Sequence, residues 1–477
     1  MLALVPDWAP EEEKAAGWQK EDEAREIEER SRLFEVDVET LLQRALSHDA
    51  GCTEAHAGLA ERYQALHSVA ERKRKGERAA GFERRLRGHV AALPEGHAVR
   101  SQVSDYLRGD GALTIHTDVP GAEVELFRYE LQNRRLVAVP VRVLGRTPLV
   151  EERLPMGSYL CLLRHPERAE VRYPVHVGRA EHWDGVPPGG GETVPVRLPQ
   201  QGELGPDDCL MPAGWYWSGG DAQAPDSLER RRLWCDEVVV KRYPVTNREY
   251  LAFLDDLVAV GRHSDAARYQ PTERTGAGGT PIFGQDDSGR FVLRPEAEGV
   301  AGDLDWPVVF VDWFGASAYA AWHAARTGKP WRLTGEFEWE KAARGVDGRF
   351  YPWGNRHDPS WCCTRSSHTG RGLAGIDSFP VDISAYGVRG LGGNVQDWCA
   401  DVFRKEGQPL GGDQVAPPTR HDPGAEPTSP RVRRGGSWGG TARVARSAFR
   451  LGFAPTLRLP YLGLRLAMRP EPEPDRE

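Results

Sequence analysis

Glycine and proline are distributed so unevenly that this chain cannot fold as one kind of structure throughout. The first hundred of its 477 residues hold seven Gly and three Pro, and the rest hold the other 79 of the 89. Inside a helix Gly costs about 1 kcal/mol and Pro about 3 kcal/mol relative to Ala. The early segment is therefore free to be helical, while the later one is confined to short elements joined by turns. From Glu21 to about Val90 breakers are few and charges recur at i,i+4, which predicts helices. Leu33, Val36, Val38, Leu41, Leu42, Ala45 and Leu46 read as a buried stripe, and Ala55, Leu59, Ala60 and Tyr63 as a close helix–helix contact.

At Gly111 the hydrophobic period changes from 3.6 to 2. Ala112–Thr117 and Ala122–Phe127 alternate around the turn Asp118-Val-Pro-Gly121, and Leu154–Tyr159 and Val171–Val175 extend a strand-rich unit. Residues 185–206 are rich in Gly and Pro and read as a linker. From Asp207 onward lie twelve of the fifteen Trp, among short strand candidates such as Glu237–Tyr243. Three helices are predicted there. The first is Asn247–Leu257 with Thr246 or Asn247 as N-cap. The second is Phe314–Thr327 with Gly328 just past its end, and the third a short amphipathic Gly335–Arg344.

The net charge of −8 equals the balance of the first forty residues alone. Residues 1–40 carry 13 acidic and five basic side chains, and residues 61–90 carry nine basic and four acidic ones. The basic run Glu71–Arg78 has no interleaved aromatic platform, so nucleic acid is not the expected partner. No apolar run approaches the ~18 residues of a membrane span, and Met1–Trp8 has no basic start typical of a leader. A cytoplasmic location without membrane attachment is therefore expected. The seven Cys include no C-x-x-C pair and read as free thiols rather than a disulfide framework.

Three resemblances organise these elements. Glu54–Tyr63 resembles the second half of a tetratricopeptide-type hairpin. Pro120-Gly121-Ala122, Leu144-Gly-Arg-Thr-Pro-Leu149 and Leu154–Tyr159 resemble a PEGA-type β-sandwich module. Met211-Pro-Ala-Gly214, Tyr243–Asn247, Trp306–Trp313, Phe337–Gly345, Tyr351-Pro-Trp-Gly-Asn355, Tyr386–Trp398, Arg434-Gly-Gly-Ser-Trp438 and Leu462–Ala467 occur in the order of the formylglycine-generating-enzyme/sulfatase-modifying-factor family, which they resemble. The expected fold is multidomain α+β. It comprises an α-helical hairpin or bundle (1–108), a PEGA-type β-sandwich with linker (109–206), a C-type-lectin-like α+β domain (207–470) and a tail (471–477). This arrangement resembles the region following the catalytic domain of certain large bacterial Ser/Thr protein kinases, but no kinase motif set is present.

The resemblance implies site residues as well. The family's aerobic oxidases hold copper on two thiolates just after the Gly-Gly-Ser motif. Here that stretch, Ser437–Arg450, has no Cys, and Thr441 or Ser447 cannot replace soft thiolates, so copper is not expected. A sulfoxide-synthase branch binds iron through a His-x-x-x-His-x-Glu helix, whereas His48, His56 and His67 are spaced 8 and 11 apart and read as exposed or capping residues. Gly392-Gly-Asn-Val-Gln-Asp397 matches the family element that holds a structural calcium, implying Gly392, Gly393, Val395 and Asp397 as ligands. The family's other calcium site is expected to fail, because a Cys stands at its Asn position. Arg434, Arg443, Arg446, Arg450 and Arg465 cluster in sequence; internal pairing with Asp382, Asp397 and Asp401 is the favoured reading, and a partner-binding rim of Arg443, Arg446 and Arg450 is the other. The expected function is non-catalytic and regulatory, binding a protein partner, with control by partner exchange or cleavage within 185–206 or 404–430. The alternative is a metal-dependent oxidoreductase using relocated ligands such as Cys362 and Cys363. Glycan binding is a third reading, which the fold resemblance does not by itself support.

Overall fold

The computed structural model describes residues 11–72, 75–273, 279–294, 303–367, 372–418 and 428–470. The leader reading of Met1–Trp8, Lys73–Arg74 of the basic run, residues 419–427 and the 471–477 tail lie outside them. The chain divides into two compact units, residues 1–110 and 111–477.

The first unit is helical: α1 (Glu11–His48), α2 (Thr53–Arg72), α3 (Gly76–Ala92) and α4 (Ala98–Arg108). Its core is Leu59, Ala60, Tyr63, Leu86, Val90 and Val103, with Leu42, Leu46, Leu66 and Phe82 packed against it. The small-residue pattern of α2 is buried, since Ala60 beside Leu59 leaves room for a neighbouring helix. The predicted stripe of α1 divides. Leu42 and Leu46 reach the core, whereas Leu33, Val36 and Leu41 are more than half exposed, because among the described residues of the unit only the C-terminal end of α1 packs into the helical core. His48 is exposed, but His67 is buried with Nδ1 2.7 Å from the Tyr106 hydroxyl, so the exposed-or-capping reading does not hold for it. Among the described residues no helix is long and apolar enough to cross a membrane.

The second unit begins with a four-stranded antiparallel sheet ordered Arg135–Arg146, Glu123–Gln132, Gly157–Arg164, Val171–Val177. A three-stranded sheet joins Leu149–Pro155, Asp110–Ile115 and His182–Trp183. Inward residues Leu113, Val124, Leu126, Leu163 and Val175 belong to one core that continues to Met468. The Gly/Pro-rich stretch expected as a linker is anchored in that core: Val196 and Leu198 are buried, and the Trp215 indole N–H donates to the Val186 carbonyl (2.7 Å). The backbone N–H of Leu136 donates to Trp353 O (2.8 Å), and Arg172 donates to Ala385 O (2.9 Å), tying this β region to the Trp-rich region beyond residue 207.

Beyond residue 207 the architecture is mixed α+β, with three four-stranded sheets and a two-stranded ribbon among the described residues. Among the described residues its helices are α5 (Asn247–Ala259), α6 (His263–Tyr269), α7 (Trp313–Thr327) and α8 (Glu336–Arg344). Thr246 caps α5 in a reciprocal capping box with Glu249, and Gly328 ends α7 at φ 67°, a left-handed position that glycine occupies without strain. The short helix expected to be amphipathic is not: all nine residues of α8 are buried. Its charged side chains stay inside because each has a partner. Glu336 accepts from Arg450, Glu338 takes a two-pronged contact from Arg332 (2.7 Å each), and Glu340 bridges Arg344 (2.6 Å) and Arg434 (2.7 Å). Lys341 Nζ donates to the carbonyls of Pro212, Gly214 and Cys235. A buried charge left unpaired would cost several kcal/mol, on the order of 3–5, so α8 and its partners can only assemble together.

Candidate functional site

The stretch Ser437–Arg450 folds back onto the Tyr351-Pro-Trp-Gly turn. Tyr351 donates its hydroxyl to Ala442 O (3.1 Å), Ser447 N donates to Phe350 O (2.8 Å), and Ala445 packs with Tyr351, Trp353 and Cys362. Tyr351 and Trp353 stack at 5.4 Å between centroids with planes 8° apart. The space beside the stretch is thus filled by aromatic rings.

Its arginines separate by burial. Arg443 is exposed, with its Nε donating to Gln223 O (3.3 Å). Arg446 is buried, pairing with Asp221 (2.5 Å) and donating to Gln223 Oε1 and Tyr351 Oη (3.1 Å each). Arg450 is buried against Glu336 and the carbonyls of Arg404 and Lys405. Arg446 and Arg450 are therefore internal rather than part of a rim, because carboxylates from distant chain segments reach them first. Those partners are Asp221 and Glu336, not Asp382, Asp397 or Asp401. The sequence carried no spacing signal for Asp221, which lies 225 residues from Arg446.

Six of the seven cysteines belong to this unit and all six are buried. Burial pushes the Cys363 thiol up to about 12 and the Cys235 thiol up to about 11, and raises Cys362 and Cys399 well above their ordinary value. Cys362 and Cys363 are adjacent but turn apart: Cys362 Sγ lies 3.8 Å from His357 Nε2, and Cys363 Sγ lies 3.7 Å from Gly372 O. Cys399 is elsewhere, against Thr334.

The implied calcium ligands sit at the head of the strand Gln396–Val402. Asp397 is buried; its Oδ2 accepts from the Trp339 indole (2.8 Å) and from Arg465 (3.1 Å), while Oδ1 has no hydrogen-bond partner among the described residues. That orphaned oxygen is the feature a cation or a water would satisfy. Gly393 is required for close approach, since a Cβ there would come within 2.5 Å of Cys363 O. Gly392 N donates to both carboxylate oxygens of Asp382 (3.1 and 2.9 Å). Sequence reasoning offered Asp382 only as an arginine partner and missed this role under the Gly392 turn. Burial outweighs the Gly392 N–H and the Arg465 charge and pushes its carboxyl up to about 7. Among the described residues, no three His, Cys, Asp or Glu side chains converge as a metal-binding group.

Comparison with known proteins places these observations. Residues 195–470 match the model of the sulfatase-modifying factor enzyme 1-like domain. A formylglycine-generating enzyme of Thermomonospora curvata is 33% identical over 279 residues, covering 51% of this chain and 86% of that one. A hercynine oxygenase of Mycolicibacterium smegmatis is 31% identical over 290 residues, covering 57% of this chain and 64% of that one. An inactive C-alpha-formylglycine-generating enzyme 2 of Mus musculus is 34% identical over 298 residues, covering 54% of this chain and 84% of that one.

Proposed function

Because the chain belongs to the sulfatase-modifying factor enzyme 1-like family, we propose that it keeps the family scaffold without the family's copper chemistry and acts as a regulatory protein that binds a protein partner. The observation that carries this reading is the stretch Ser437–Arg450. It contains no cysteine, is covered by Tyr351 and Trp353, and turns Arg446 inward to Asp221. A relative at 34% identity is itself named inactive, so loss of activity within the family is compatible with retention of the domain. Exposed Arg443 and the charged faces of the helical unit are the surfaces offered to the partner, which is a protein rather than a membrane or a nucleic acid. On this reading the chain works in the cytoplasm.

The direct test supplies the full chain with Cu(I), dioxygen and a cysteine-containing peptide, and measures aldehyde by mass spectrometry. No conversion is expected, and turnover would defeat the reading. A pull-down with the full chain against the 111–477 unit then assigns any partner to the helices or to the larger unit.

The same reading retains a structural calcium held by Gly392, Gly393 and Val395 carbonyls and Asp397. The orphaned Asp397 Oδ1 supports it. Arg465 already balances the carboxylate, so the ion adds modest stability: chelation should lower the melting temperature by a few degrees, restored by Ca²⁺ but not Mg²⁺.

A second reading, a metal-dependent oxidoreductase with relocated ligands, is favoured by Cys362 beside His357 and by the two relatives named as enzymes. It requires stoichiometric copper or iron in the purified protein, lost on the double substitution Cys362→Ser and Cys363→Ser.

A further inference from the structure

The helical unit brings together two histidines that are 33 residues apart. His56 on α2 and His89 on α3 face each other with their Nδ1 atoms 3.0 Å apart, at rings tilted by 49°. His56 Nε2 lies 3.0 Å from the backbone carbonyl of Ala50. A carbonyl only accepts, so this contact fixes Nε2 as the protonated nitrogen of neutral His56 and leaves a lone pair on Nδ1. That is the arrangement by which ligating imidazoles are oriented, one ring nitrogen donating to a carbonyl and the other turned to the ion. In the metal-free chain the facing Nδ1 of His89 must carry a proton and donate it to His56.

The pair opens into a solvent-facing hollow of about 480 Å³ lined by Glu39, Gln43, Tyr63, Arg85 and Gly88 as well as the two histidines. Tyr63 stacks on the His89 ring at 5.6 Å and fixes its orientation. Glu39 is held by Arg62 and Tyr63 (2.8 Å each), and Arg85 lies over the Tyr63 ring. These groups wall the imidazoles with one carboxylate and two guanidiniums.

We propose that His56 and His89 form a two-imidazole binding site for a divalent transition-metal ion of the zinc, nickel or cobalt class, with water completing its coordination. Two nitrogens roughly 3.0–3.4 Å apart suit adjacent ligands at the ~2.1 Å metal–nitrogen distance. Neutral imidazole selects such ions over calcium or magnesium. On binding to the two neutral imidazoles, the His89 proton moves from Nδ1 to Nε2, with no net proton release. The site is independent of the family domain, which begins at residue 195.

The test uses the full chain, free of an affinity tag and stripped with chelator. Titration with Co²⁺, followed by its visible absorption, and with Zn²⁺, followed calorimetrically, should reveal one saturable site per chain. His56→Gln and His89→Gln should each weaken binding at least tenfold, while His48→Gln, outside the pair, should leave it unchanged. Because either Gln could disturb the α2–α3 contact, the wild-type histidine C2–H proton resonances provide a reading without substitution: Ni²⁺ should broaden the His56 and His89 lines first. Failure of the wild type to saturate, wild-type affinity in both variants, or broadening confined to other histidines would overturn the site.

Discussion

The two units treat charge and apolar surface in opposite ways. In the larger unit Glu336, Glu338, Glu340, Lys341 and Arg344 occupy consecutive turns of one helix and none reaches solvent, because Arg332, Arg434 and Arg450 and a set of carbonyls surround them. In the helical unit Ile27, Leu33, Phe34 and Leu41 are each at least 60% exposed along α1, although they are ordinary core residues by composition. Side-chain chemistry alone would have placed both sets on the wrong side of the surface. What decides burial is the presence of a complementary neighbour, and neighbours come from chain segments far away in sequence.

The sharpest way to break this contrast is to remove the centre of the buried network. Glu340→Ala strands Arg344 and Arg434 together, and should destabilise the larger unit by about 3–5 kcal/mol, read by urea denaturation. A loss under about 1 kcal/mol would mean that the network is hydrated rather than closed. The folded-state pKa of Glu340 is down to about 2, because Arg434 and Arg344 outweigh the opposing effect of burial. Its contribution is therefore complete above pH ~4.5 and is lost as the pH falls toward 2.

The next effect compares two arginines three residues apart. Arg446→Ala removes the contacts to Asp221, Gln223 and Tyr351 and should cost about 2–4 kcal/mol. Arg443→Ala should change stability by less than about 0.5 kcal/mol and report only on partner binding. Equal effects would erase the distinction between an internal and a surface arginine.

Asp382 tests the network with the opposite sign. Its carboxyl is raised to about 7, so folding is favoured while it is protonated and loses that advantage as the pH climbs from about 4 to 7. Asp382→Asn should therefore gain stability over the wild type at pH 8, by roughly 1–2 kcal/mol, and gain little at pH 4. Thermal melts at the two pH values decide this. The smallest effect is expected on α1: Phe34→Ser and Leu41→Ser should each alter stability by less than about 0.5 kcal/mol. A large loss would show that this face is covered in solution.

Much of the family assignment was legible because it rests on local words. Tyr351-Pro-Trp-Gly, Arg434-Gly-Gly-Ser-Trp438 and the Gly392–Asp397 turn carry backbone requirements that only certain residues satisfy, and Gly393 against Cys363 is one such requirement. The caps of α5 and α7 were readable to within a residue, as Thr246 or Asn247 and as Gly328, because caps act locally; the structure chose Thr246 and added its partner Glu249. The character of α8 was not. Its alternation of Glu with Phe and Trp imitates a surface helix until Arg332, Arg434 and Arg450 are brought around it.

Residue order dictated where helices could run, where the chain had to turn, and that the stretch after Gly-Gly-Ser offers no thiolate. These follow from backbone sterics and from which atoms are present at all. Only the folded chain settled that Arg446 belongs to Asp221, that Cys362 and Cys363 face different ways, and that His56 meets His89. The physical reason is range: a cap or a glycine turn acts across a few bonds, whereas an ion pair or a ligand pair is made only once folding has brought remote residues to within about 3 Å.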